Sequence, residues 1–171
     1  MKSTFGISLQ VLFEREGNFS NLPHDEVTNH GVTLPTWQEY VGHPVSIEEM
    51  RELSVEDVAP LYRTQFWDRC SCDNMPIGVD AYLFDFAVNS GVHAACTVLQ
   101  KIVGVMSDGT IGRLTIAACA SMNRTTLLEQ LHQARWQFIE KVPNFALYGK
   151  GWLNRITIVH RFCIHLQNAI T

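Results

Sequence analysis

The sequence predicts a mainly α-helical fold of about seven helices, with a small irregular or β-hairpin lobe near residues 18–45. Three observations predict it. Apolar residues recur at helical spacing along most of the 171-residue chain. The segments that they define begin at capping residues and end at glycine or proline. Residues 18–45 instead collect turn-forming residues.

The first predicted helix carries an apolar stripe at i, i+4, i+7 and i+8, formed by Phe5, Leu9, Leu12 and Phe13. At about 100° per residue, Glu16 falls in this stripe, whereas Glu14 falls on the opposite face. The Gly17-Asn18 pair then ends the helix. A carboxylate on a buried face is costly unless it has a function or a partner, and desolvation raises its pKa as a general acid requires. A buried ion pair with a distant arginine, or fraying at Gly17, remains the structural alternative.

The lobe is predicted to be loop-rich because it contains Pro23, Gly31, Pro35, Gly42 and Pro44. Val32-Thr33 is its β-prone piece. Helices resume at the capping-box patterns that begin with Ser46 and Ser54. The remaining predicted helices run from 54 to about 69, 79 to 90, 92 to 103, 110 to 120, 125 to 142 and about 152 to 168.

Composition and charge exclude several classes of protein. The net charge of −4 disfavours nucleic acid as a partner. No apolar run has the length of a membrane helix and no secretory leader is recognisable, so we expect synthesis in the cytoplasm and no stable membrane insertion. The five cysteines lack metal-ligand spacing and most lie among apolar residues, which predicts free thiols rather than a disulfide framework or a zinc site.

Charge is divided unevenly along the chain. Residues 1–112 carry 15 acidic and 6 basic side chains, whereas residues 113–171 carry 2 acidic and 7 basic ones, a balance of −9 against +5. A basic segment can face a polyanionic partner, but from charge alone the simpler explanation is that two faces of one fold neutralise each other.

A short loop-rich stretch after the first helix holds Asp25, Glu26, Thr28 and Asn29. A carboxylate about ten residues after Glu16 could fold back to face it. Two carboxyl groups on either side of a bond are the arrangement that glycosidic cleavage requires. Loops are commonly rich in such residues, so the pattern alone is a weak signal.

Ordered motifs strengthen this interpretation. In the first half of the chain they are Glu16-Gly17-Asn18-Phe19, Thr28-Asn29-His30-Gly31-Val32-Thr33, Phe66-Trp67-Asp68, Met75 to Asp80, Phe84-Asp85 and Val88-Asn89-Ser90-Gly91. In the second half they are Leu99-Gln100-Lys101, Gly104-Val105, Asp108-Gly109, Ile111-Gly112 and Gly149-Lys150-Gly151-Trp152 with Arg155. In this order and at this spacing they resemble glycoside hydrolase family 108, which includes phage endolysins and secretion-associated muramidases.

The resemblance implies a lysozyme-like fold, with a catalytic part at residues 1–90 and a helical peptidoglycan-binding part at 91–171, packed as one compact unit. It implies hydrolysis of the β-1,4 bond between N-acetylmuramic acid and N-acetylglucosamine in peptidoglycan glycan strands, without a metal or cofactor. It implies that Glu16 is the general acid, that Asp25 and Thr28 handle the water or the opposing charge, and that the cleft contains Asn29, Trp67, Asp85 and Asn89. The enzyme would act on the cell wall after release, as a prophage endolysin does.

Two departures from the family pattern lie near the proposed site. Asn18 replaces a glycine, and the loop that carries Asp25 has lost both of the family's glycines, which leaves Glu26 as a rival second carboxylate. Asp85 and Asn89 lie at i and i+4, so they could instead bond each other, and Trp67 could be core. Two other functions remain open: a lytic transglycosylase of the same fold, and a catalytically silent wall-binding or secretion-accessory protein.

Overall fold

The computed structural model describes residues 4–14, 19–21, 26–143 and 145–169. Within them the chain is mainly helical, as predicted, with nine α-helices and one two-stranded sheet. The helices are α1 (Phe5–Phe13), α2 (Leu34–Val41), α3 (Ile47–Glu52), α4 (Val55–Tyr62), α5 (Val79–Ser90), α6 (Val92–Ile102), α7 (Arg113–Ser121), α8 (Arg124–Ile139) and α9 (Phe145–Ala169). The strands are β1 (Thr28–Asn29) and β2 (Val32–Thr33), which pair antiparallel.

Two compact units divide the chain. The N-terminal unit is Phe5–Gln65, and the C-terminal unit is Phe66–Thr171 together with Met1–Thr4. A π-helix, Arg63–Trp67, follows α4, and a 3₁₀ turn lies at Cys72–Asn74. The division by contacts falls at residue 65, whereas the predicted division at residue 90 follows a functional resemblance and stays a prediction. No helix among the described residues is both long and apolar enough to cross a membrane.

Helix α2 is an addition to the predicted elements, because it lies inside the lobe that was expected to be loop-rich. Thr33 caps it by accepting a hydrogen bond from the Thr36 amide at 3.3 Å. Pro35 occupies the first turn, where a proline's missing amide costs nothing and its fixed φ favours the helix. Gly42 ends the helix in a left-handed conformation at φ 78°. Proline therefore marks a helix start here, not a loop.

Capping explains the next two helices as predicted. The hydroxyls of Ser46 and Ser54 accept hydrogen bonds from the amides of Glu49 and Asp57, and each carboxylate in turn accepts a hydrogen bond from the serine amide. These bonds lower the pKa of Glu49 and of Asp57. Helix α4 ends at Tyr62, not near residue 69 as predicted, and the π-helix Arg63–Trp67 follows it directly.

Helix α5 is the centre of the C-terminal unit. Its residues from Val79 to Ala87 are all buried, and it packs against α6, α8 and α9. A helix that is enclosed on every side needs apolar residues around its whole circumference, which explains the strongly apolar sequence of this segment. Helix α9 begins at Phe145, earlier than predicted, and includes the buried Gly149, so packing overrides the low helix propensity of glycine.

Candidate active site

The N-terminal unit contains a tight β-hairpin formed by β1 and β2. Its register pairs Thr28 with Thr33 and Asn29 with Val32. His30 and Gly31 form the two-residue turn, with φ of 47° and 72°. Two positive φ values in succession are typical of the type I′ turn, whose twist matches that of the paired strands. Of the two forms predicted for this lobe, the β-hairpin is therefore confirmed.

The Asn29 side chain attaches this hairpin to α3. It is buried, and its Nδ2 donates to the carbonyl of Met50 at 2.8 Å and to those of Arg51 and Leu53 at 3.3 Å. These are carbonyls at the end of α3 that have no partner within the helix. The structure thus assigns the Asn29 amide a positioning role, and the predicted contact between Asn29 and a sugar stays a prediction.

The turn of the hairpin is fixed from a second side. The Tyr62 hydroxyl donates to the His30 carbonyl at 2.8 Å, and His30 Nε2 lies 3.0 Å from the Leu53 carbonyl. The Phe13 ring packs against the rings of both His30 and Tyr62, at centroid distances of 5.4 and 5.2 Å. The end of α1 is therefore attached to the hairpin turn.

Helix α1 ends at Phe13, earlier than the stripe through Glu16 predicts. Phe13, its last residue, is the one whose ring contacts the hairpin turn. Glu14 follows in a turn and is exposed, as predicted for a solvated charge. Glu16 itself lies outside the described residues.

Strand β1 is paired on both of its edges at Thr28, with Thr33 on one side and Ser20 on the other. The Thr28 amide donates to the Ser20 carbonyl at 2.9 Å, and the Thr28 carbonyl accepts from the Ser20 amide at 2.8 Å. The chain between Ser20 and Thr28 includes Asp25, which lies outside the described residues. The described residues that flank Glu16 and Asp25 are thus attached, directly or through Phe13, to one hairpin.

Trp67 belongs to the core of the C-terminal unit. Its side chain has no exposed surface, its Nε1 donates to Asp73 at 2.9 Å, and its ring meets Phe84 edge to face at 5.4 Å. Stacking on a sugar requires an open ring face. This packing favours the core alternative, and the predicted stacking of Trp67 on a sugar stays a prediction.

Asp85 is likewise buried, in an ionic cluster that joins three helices. Its carboxylate lies 2.8 Å from Arg135 on α8 and 3.1 Å from Arg155 on α9. Burial opposes ionisation, but the two guanidinium groups outweigh it and lower the pKa of Asp85. The Arg135 guanidinium also lies over the rings of Tyr82 and Phe86, at 5.2 and 4.9 Å. A carboxylate held in this way is shielded from solvent and neutralised within the fold, and the predicted cleft role of Asp85 stays a prediction.

Sequence reasoning missed Arg135, although a signal for it exists. Arg135 falls at i+7 and i+4 from the buried Leu128 and Leu131, so it shares their face of α8. A cation on an apolar stripe requires a buried anion as partner. Asp85 supplies that anion, and it does not bond Asn89 as the i, i+4 alternative supposed.

Asn89 is exposed at the end of α5 and faces an open cavity of about 380 Å³. The other lining residues are Ser90, Phe138, Ile139, Val142 and Trp152. Trp152 is half-buried, and its ring lies 5.9 Å from that of the exposed Tyr148. An amide beside an indole suits an N-acetylated sugar. Among the four predicted cleft residues, Asn89 is the one that this surface makes available; we call it the Asn89 cavity.

Comparisons with known proteins agree with this fold. The family model described as glycosyl hydrolase 108 matches residues 9–91. A solved structure, that of Brucella abortus SagA, is 34% identical to the chain, with a TM-score of 0.86, over 98% of this chain and 97% of that one. No match to a curated protein was found. The chain therefore belongs to the glycosyl hydrolase 108 family and is a glycoside hydrolase with a lysozyme-like fold.

Proposed function

We propose that the protein is an N-acetylmuramidase, which hydrolyses the β-1,4 bond between N-acetylmuramic acid and N-acetylglucosamine in peptidoglycan. The family match over residues 9–91 carries this proposal, because it spans Glu16, Asp25 and the hairpin that holds the residues flanking both. On this proposal the enzyme, made in the cytoplasm, acts on the cell wall after its release.

Glu16 would serve as the general acid, donating its proton to the glycosidic oxygen as the bond breaks. Asp25 would hold the attacking water or balance the positive charge at the anomeric carbon, with Thr28 beside it. The contacts of Asn29, His30 and Phe13 support these roles indirectly. They fix the hairpin on which Thr28 lies and to which the end of α1 is attached. Two carboxyl groups that act together on one bond must be held in place, because a small displacement of either group lowers the rate of the reaction.

The products released from purified sacculi test the proposal. A muramidase leaves reducing muramic acid ends, a lytic transglycosylase leaves 1,6-anhydro ends, and a silent wall-binding protein sediments with sacculi without releasing fragments. Mass spectrometry of the soluble muropeptides distinguishes the three outcomes. The proposal requires reducing ends.

A matched pair of variants tests the general acid. Glu16→Gln should fold normally and lose about 100-fold or more in turnover, the usual scale for a general acid. Glu14→Gln, which changes an exposed carboxylate two residues away, should leave turnover unchanged. Near-normal turnover by Glu16→Gln would overturn the assignment.

A further inference from the structure

A second open cavity of about 370 Å³ lies between α6 and α8 in the C-terminal unit. Half-buried apolar side chains, including those of Val98, Ile102 and Phe138, line it together with two exposed lysines, Lys101 and Lys141. We call it the lysine groove. It thus combines an apolar lining with two positive charges.

Neither lysine is neutralised within the part of the chain that the structure describes. The ion pairs found there involve neither Lys101 nor Lys141. Glu140 is next to Lys141 in sequence, but its carboxylate accepts a hydrogen bond from Trp136 Nε1 at 3.1 Å. Lys141 also belongs to the basic segment 113–171, which contains only two acidic residues. The groove therefore offers two ammonium groups to an anionic ligand.

We infer that the lysine groove binds the stem peptide of peptidoglycan, an inference that rests on the proposed function. A stem peptide presents carboxylates together with alanine methyl groups, which match the ammonium groups and the apolar lining respectively. A glycan strand without its peptides offers one short lactyl carboxylate per disaccharide, whereas a stem peptide extends several carboxylates and methyl groups along a chain long enough to fill a groove. The ligand class follows from the pairing of charge with apolar surface in one groove.

The position of the groove supports the same ligand. Phe138 lines both the lysine groove and the Asn89 cavity, so the two lie side by side. In peptidoglycan the stem peptide is joined to the muramic acid through its lactyl group. A sugar in the Asn89 cavity would therefore direct its peptide toward a neighbouring site, and the lysine groove is such a site.

Two forms of one substrate test the inference: intact sacculi, and glycan strands from which an amidase has removed the peptides. The double variant Lys101→Ala/Lys141→Ala should raise KM on intact sacculi about 5- to 10-fold, since two exposed ion pairs are lost. Its KM on peptide-free strands, which keep only the short lactyl carboxylate, should stay within about 2-fold of the wild-type value. The double variant Lys101→Arg/Lys141→Arg keeps both charges and should restore most of the affinity. Arg161→Ala removes an exposed charge on α9, outside the lysine groove, and should match the wild type on both substrates.

A binding measurement separates this inference from the proposed function. Isothermal titration with a synthetic stem peptide, and with the same peptide after amidation of its carboxylates, needs no turnover. The inference requires that the wild type bind the acidic peptide more tightly than the amidated one, and that the double alanine variant lose this difference. Equal binding of both peptides, or an equal rise in KM on both forms of substrate, overturns it. Failure of the wild type to cleave either substrate would overturn the proposed function alone.

Discussion

The Asp85 carboxylate lies 2.8 Å from the Arg135 guanidinium, and both side chains are shielded from solvent inside the C-terminal unit. Arg155 approaches the same carboxylate at 3.1 Å. Nε and Nη1 of Arg135 have no hydrogen-bond partner among the described residues. One carboxylate thus compensates a fully buried cation, and the contact joins α5 to α8 at the centre of the unit.

Removal of this carboxylate charge should therefore be strongly destabilising. Asp85→Asn keeps the shape of the side chain but leaves Arg135 buried without an anion, which costs about 3–5 kcal/mol in the free energy of unfolding. Urea denaturation measures the loss. The exposed Glu52→Gln is the control and should stay within about 0.5 kcal/mol of the wild type.

A second outcome would support the predicted cleft role of Asp85. If Asp85→Asn keeps its stability but raises KM on sacculi, the residue contacts substrate and the structural account is wrong. The double variant Asp85→Asn/Arg135→Met provides a further check. It should recover part of the lost stability, because it removes the uncompensated cation as well.

Trp67→Phe tests whether Trp67 is a core residue or stacks on a sugar. The change removes the hydrogen bond to Asp73 and leaves a void in a fully buried site, so we expect a loss of about 2–3 kcal/mol in unfolding free energy. Activity per folded molecule should not change, since the ring has no face open to a sugar. Parallel measurements of urea stability and of KM on sacculi distinguish the two roles. Unchanged stability with a raised KM would contradict the core assignment.

Acidification should weaken the packing of α8 against α9 through His132. The His132 ring stacks on His160 at 4.1 Å, and Tyr82 shares a hydrogen bond with His132 Nδ1 at 2.9 Å. Burial and the neighbouring His160 lower the pKa of His132 to about 4, from an ordinary 6.5. Between these values the unfolded chain binds the proton and the folded chain does not. Stability is therefore lost as the pH falls from 6.5 toward 4.

Unfolding free energies at pH 7 and pH 4.5 measure this effect. After allowance for solvent screening, His132 should account for about 1 kcal/mol of the difference between the two pH values. His132→Gln should remove that part of the pH dependence, whereas His165→Gln, at an exposed position on α9, should leave it intact. Equal pH dependence in the wild type and His132→Gln would contradict the prediction.

Local signals explain which parts of the fold could be predicted. The capping boxes at Ser46 and Ser54 and the apolar period of α5 act within a few residues, so the sequence alone reveals them. Helix α2 could not be predicted from Pro35, because proline is common both in loops and in the first turn of a helix.

The candidate site was harder to predict because its decisive contacts are long-range. The motif around Asp85 carries no local sign that the partner is Arg135, 50 residues later. The motif that contains Asn29 gives no sign that its amide reaches the end of α3. A family motif marks a position as important without saying whether its side chain contacts substrate or supports the residues that do.

The identity of the second carboxylate is the last prediction. Asp25 and Glu26 are adjacent in sequence, Glu26 is exposed, and Thr28 two residues later is fixed by its pairing with Ser20 and Thr33. Because the loop is shorter than the family pattern and Thr28 is fixed, Asp25 and Glu26 should not be equally able to act as the second carboxylate. We expect Asp25→Asn to lower kcat about 100-fold with binding to sacculi intact, because the second group acts on the transition state more than on ground-state affinity.

Glu26→Gln is the matched control, and it should change kcat little. Turnover of sacculi and their co-sedimentation with each variant separate rate from affinity. If Glu26→Gln is the damaging change and Asp25→Asn is not, the family register is displaced by one residue in this loop. If neither variant lowers kcat, Glu16 works without a second carboxylate. The muramic acid's own hydroxyl would then be the nucleophile, and 1,6-anhydro ends should appear among the products.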